Sequence, residues 1–185
     1  MPTLLDENLR PERMKSKASP IQDFSDEKEK FYRHCHPDFI LQSEEGFEIL
    51  EAAVQQFNLS VLRSHFSEAD DARWESAIAC APELAQVYND FFVIEMPVPS
   101  AMQTAPPTDS NASSHSLRPS HQPYEDNYAH CELRLFRDDP EKWFKKEGDV
   151  KPTGKAAKRL FREQLRQSAR VALKPFEGSP IPADN

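Results

Sequence analysis

SEEGFEILEAAVQQF, residues 43–57, decides how the first half of this chain is read. Phe47, Leu50, Val54 and Phe57 recur at i, i+3, i+7 and i+10, with Ile49 and Ala53 beside them. That is the spacing of one apolar helical face. Ser43 stands at the N-cap position, and Glu44, Glu45, Glu48 and Glu51 fall in the first turns, where the helix dipole favours anions. The spacing predicts a helix over 43–57.

The same reading extends in both directions. Ser25 caps a short helix from Asp26 to about His34, and Pro37 ends it by pushing His36 out of the α region. Residues 59–66 fit either a short strand or a continuing helix. Ser67 caps a helix carrying Trp74, Ala77 and Ile78, and Pro82 opens another that runs from Glu83 to about Phe92. Residues 1–23 are polar and lack periodicity, so they read as a disordered arm.

The composition changes at Pro97. Residues 97–123 hold six Pro, six Ser, no aromatic residue and one charge of each sign, which reads as a flexible linker. Order resumes at Tyr124. CELRLFR, residues 131–137, alternates well enough for one strand, and also carries Leu133 and Phe136 at helical spacing. Asp139–Pro140 opens a short helix containing Trp143 and Phe144. A last helix runs from Lys155 until Pro175 ends it.

These readings give a mainly α protein. A helical, acidic N-terminal unit (24–96) is joined by the linker (97–123) to a basic C-terminal unit (124–176). The C-terminal unit has one possible strand and ends in a basic amphipathic helix; residues 177–185 form a tail. Four Gly in 185 residues argue against a turn-rich β-sandwich and against a glycine-loop nucleotide site.

Charge is unevenly distributed. The chain carries a net −8, yet residues 142–174 hold 11 basic and 3 acidic side chains. On a helical wheel Lys155, Lys158, Arg159, Arg162, Arg166 and Arg170 fall within an arc of roughly 120°. Such a stripe suits the phosphates of a nucleic acid or an acidic protein surface, including the protein's own acidic half. Leu160, Phe161 and Leu165 are expected to pack inward. Phe136, Trp143 and Phe144, set among cations, are candidates for stacking on bases.

Other chemistry is sparsely marked. His34-Cys35-His36 and His130-Cys131 form the only metal-like cluster, and their spacing lacks the paired ligands of a zinc site. No metal and no cofactor are expected. There is no G-x-S-x-G, Walker loop or H-E-x-x-H, so no catalytic residue is assigned. No stretch is apolar enough to span a membrane, and three Cys without a secretory signal fit an intracellular protein. The reading is a non-enzymatic binding or accessory protein that contacts nucleic acid or an acidic partner through the basic helix. The competing readings are a small enzyme with a dispersed, Cys/His-based site and a purely protein–protein adaptor.

Overall fold

The computed structural model describes residues 19–55, 59–73, 91–105, 115–124, 127–137 and 155–175. The architecture is mainly β, which corrects the helical expectation. Seven strands form one curled antiparallel sheet: β1 (Lys30–Cys35), β4 (Leu59–Arg63), β5 (Phe92–Pro97), β6 (Gln103–Ala105), β7 (His115–His121), β8 (His130–Arg137) and β9 (Arg170–Leu173). Their order is β6-β7-β8-β4-β1-β5-β9. A separate hairpin pairs β2 (Ile40–Ser43) with β3 (Gly46–Ile49).

The hairpin occupies the stretch expected to be helical. Ser43 pairs with Gly46 across the two-residue turn Glu44–Glu45, and Ile40 pairs with Ile49. Gly46 has φ +130°, a conformation other residues rarely adopt. A helical turn cannot contain it. After β3, residues Glu51–Val54 form a single 3-10 turn that buries Ala53 and Val54. The expected helix at 26–34 is also replaced, because its second half is strand β1. At 59–66 the strand alternative is the one observed, as β4. Residues 69–73 are helical; the stretch 74–90 lies outside the described residues.

The Pro/Ser-rich segment contributes directly to the sheet. Val98–Ala101 is a 3-10 turn, and β6 and β7 lie on either side of 106–114. β7 pairs with β8 over seven consecutive residue pairs, from His115↔Arg137 to His121↔Cys131. Low hydrophobicity misleads here, because only alternate positions of a sheet strand face a core. Leu117 is buried among the core residues of that face.

One sheet face carries the main core. Phe31, Cys35, Val61, Ile94, Met96 and Leu133 lie there, covered by helix α1 (Lys155–Ser168) and by the hairpin's Ile40 and Ile49. Within α1, Ala157, Phe161, Leu165 and the following Ala169 recur every four residues and are buried. Phe161 and Leu165 point inward as expected, but Leu160 is 41% exposed. α1 ends at Ser168, and Arg170–Leu173 become a strand paired with β5. The opposite face has a smaller core of Leu62, Ala72, Val93 and Ala129, flanked by Tyr32 and Phe66.

A polar strap closes the N-terminal side. Arg63 is 1% exposed and forms a two-pronged pair with the buried Glu29, at 2.6 and 2.9 Å. The same guanidinium donates to the carbonyls of Ile21 and Asp23 and lies 4.3 Å over the Phe24 ring. A buried charge is tolerated when it is paired and its remaining donors are satisfied, and both conditions hold here. His121 accepts from the Ile21 N–H at Nδ1 and donates from Nε2 to the Tyr128 carbonyl. Tyr128 in turn donates to the Ser19 carbonyl. Residues 19–23, expected to be part of a disordered arm, are therefore tied to the sheet; residues 1–18 lie outside the described residues.

Candidate functional site

The basic helix is more engaged than its sequence implies. Arg162 faces Glu51 at 3.5 Å and donates to the Gln55 carbonyl at 2.8 Å. Arg166 pairs with Glu48 at 3.3 Å and with Glu163 at 2.8 Å. Both link α1 to the hairpin region. Lys158 is half-buried, Arg159 is exposed, and Arg170 lies beyond the helix on β9. The Lys155 side chain lies outside the described residues. Of the aromatic residues considered for base stacking, Phe136 is buried in β8, and Trp143 and Phe144 lie outside the described residues. Nothing in this arrangement supports nucleic-acid binding.

The most chemically varied site lies elsewhere, where β1 and β4 part. Their ladder holds only Phe31↔Arg63 and Tyr32↔Leu62. β1 continues along β5 to Cys35↔Phe92, and β4 continues along β8 to Leu59↔Leu133. In the gap Arg33 donates from Nη1 to the Ser60 carbonyl at 2.8 Å, satisfying an acceptor at the point of separation. A cavity of about 170 Å³ opens here. Val61, Leu62 and Ala72 supply apolar wall, and Tyr32 and Tyr124 supply aromatic wall. A second cavity, of about 120 Å³, shares Arg33 and His34 with the first and reaches to Cys35, His36 and Phe91.

Three polar groups at the first cavity are unusually under-used. Arg33 makes that single backbone contact and has no carboxylate partner among the described residues. Burial lowers its pKa. His34 packs edge-on against Phe91 at 5.6 Å. Burial first, and the neighbouring Arg33 charge second, lower its pKa to about 4, so the ring is neutral near pH 7. Asn127 is 2% exposed, and its Oδ1 has no hydrogen-bond partner among the described residues. An orphaned buried acceptor costs free energy unless something donates to it.

The remaining polar pair is Ser60 and His130. His130 Nδ1 lies 2.6 Å from the Gln122 carbonyl, which can only accept. Nδ1 therefore carries a proton, and the second ring nitrogen is Nε2. That nitrogen lies 3.4 Å from Ser60 Oγ. The Tyr124 ring stacks on the His130 ring at 4.1 Å between centroids.

The thiols are poor candidates for chemistry. Burial pushes Cys35 up to about 11 and Cys131 up to about 12, so both are protonated near pH 7. The thiolate is the nucleophile, so the Cys/His-based reading loses its nucleophile at these positions. Among the described residues no three His, Cys, Asp or Glu side chains gather as metal ligands would. Alternation along β1 sends successive side chains to opposite faces, so His34, Cys35 and His36 are not arranged to converge on one ion.

The sequence marked His34 and His130 only as members of metal-like pairs. It gave no prominence to Arg33, Ser60 or Asn127. Their common feature is a gap in strand pairing, which depends on register and is not local in sequence. The chain matches no protein-family model, no curated protein and no solved structure.

Proposed function

We propose that this protein binds a small organic anion, such as a carboxylate, in the cavity between β1 and β4. The carrying observation is Arg33: a guanidinium beside a small, largely apolar cavity, with one backbone contact and no described carboxylate partner. The chain as a whole has a surplus of acids, at net −8, so a cation with no described carboxylate partner at a cavity is unusual. A planar guanidinium matches a carboxylate in charge and geometry. Neutral His34 has one ring N–H to donate to the anion, and the vacant Asn127 acceptor suits a donor group, such as a hydroxyl, elsewhere on the ligand. The volume lies below the roughly 300–1,000 Å³ of sites for drug-sized ligands, which favours a compact molecule.

The basic stripe supports this reading less well. Arg162 and Arg166 already face Glu51 and Glu48, so we read that surface as an internal clamp between α1 and the hairpin region.

Benzoate and its neutral analogue benzamide provide the test. Benzoate is expected to shift the amide NMR signals of residues 32–34, 60–62 and 127–130, whereas benzamide leaves them unmoved. Arg33→Gln should abolish the benzoate response. Equal responses to the acid and the amide, or none to either, would refute an anion site.

A further inference from the structure

The cavity between β1 and β4 selects for more than negative charge. We propose that its ligand is a hydroxy acid built on one ring, with the carboxylate on Arg33 and the hydroxyl donating to Asn127 Oδ1. This inference rests on the anion reading above and narrows the ligand class. Its basis is a buried acceptor with nothing to accept. Asn127 is 2% exposed, lines the cavity, and its Oδ1 has no hydrogen-bond partner among the described residues. Leaving such an oxygen without a donor costs free energy, so the site favours a ligand that brings one.

The chemistry of that donor is narrow. A second ionised carboxylate only accepts, so a dicarboxylate would leave Oδ1 unsatisfied. An ammonium brings three donors and a charge, and one carbonyl oxygen cannot satisfy them away from water. A hydroxyl brings one donor to one acceptor. The placement of the two ends supports the same class. Arg33 is anchored at the Ser60 carbonyl. The His130 N–H donates to the Asn127 carbonyl at 3.3 Å, and His130 pairs with Leu62. From Ser60 to Leu62 the chain advances roughly 7 Å along β4 at the rise of a strand. That separation suits a carboxylate and a hydroxyl on opposite sides of a single ring. Val61, Leu62 and Ala72 supply apolar wall for the ring, and Tyr32 supplies an aromatic one.

Benzoate, its 2-, 3- and 4-hydroxy derivatives and 4-fluorobenzoate test the class when titrated into the full-length chain and followed by NMR. The 3- or the 4-hydroxy isomer is expected to bind on the order of 10-fold tighter than benzoate. The fluoro compound has no donor and should gain nothing. Neither should 2-hydroxybenzoate, whose hydroxyl is held by its own carboxylate. The favoured isomer should also shift the Asn127 side-chain NH2 signals, which report a hydrogen bond at Oδ1 without any substitution. Asn127→Leu keeps the two backbone bonds to Tyr124 and should bring the favoured isomer down to the affinity of benzoate. A hydroxyl gain that survives Asn127→Leu overturns the hydroxy-acid class. So does an equal gain from 4-fluorobenzoate or 2-hydroxybenzoate, or no gain from any isomer. Benzoate shifts without a hydroxyl gain leave the anion site standing and remove only this class, whereas no shift from any of the acids removes the site itself.

Discussion

At the scale of single residues, buried histidines make this fold sensitive to acid. His121 is fully buried, takes the Ile21 N–H at Nδ1 and gives its own proton to the Tyr128 carbonyl. A second ring proton would face a donor, so protonation must break the tie to the strap. Phe66 stacks on the ring, the Arg63 cation opposes a second charge, and the Glu29 carboxylate favours one. Burial dominates and lowers the pKa of His121 below 6.5. His34 is lowered to about 4 for the same primary reason. Both folded-state values lie below the unfolded one, so the unfolded chain binds more protons and stability rises with pH. Their contribution is complete above 6.5 and is lost as pH falls below it, continuing toward about 4 for His34. Urea denaturation between pH 8 and pH 5 should show falling stability. Imidazole ¹⁵N shifts should show His121 neutral, with its proton on Nε2, at pH 6.5. An His121 that titrates above 6.5 would reverse the sign.

At the scale of elements, the hairpin at 40–49 shows how two periodicities can share the same residues. Phe47 and Ile49 alternate as a strand requires, while Phe47, Leu50 and Val54 keep helical spacing. Gly46 decides between them. A Cβ built on it meets nothing within 4 Å, so its φ of +130° is the only objection to a side chain there. Gly46→Ala is therefore expected to cost about 1–3 kcal/mol from backbone strain alone. Thermal and denaturant unfolding would measure it, and an unchanged midpoint would show that the turn relaxes freely. Helix α1 was legible because one pattern stood alone, with Phe161 and Leu165 both buried. Its end was not, since Arg170–Leu173 leave the helix to pair with β5, a partner far away in sequence. The candidate site was mostly illegible for the same reason. Arg33, Ser60, Asn127 and His130 meet only because two neighbouring strands part after Tyr32↔Leu62.

At the scale of the molecule, the strand order interleaves segments that sequence composition separates. β1 and β4, from the acidic segment, are flanked by β8 from the basic segment, and β8 is followed by β7 from the Pro/Ser-rich one. A division into two docked units predicts separate unfolding; an interleaved sheet predicts one cooperative transition. Phe161 distinguishes them. It is fully buried in α1, whose packing extends to β5, β6 and the 3-10 turns at Glu51–Val54 and Val98–Ala101. Phe161→Ala is expected to cost about 3–5 kcal/mol, a large part of the roughly 5–15 kcal/mol that holds a typical domain. Native-state hydrogen exchange gives the readout strand by strand. The central strands β1, β4 and β8 should lose protection by the same amount as α1, because none opens without the others. The edge strands β6 and β9 should exchange faster in both proteins through local opening. If β7 and β8 kept full protection while only α1, β5 and β9 lost it, the sheet would be divisible and the single-transition argument would fail.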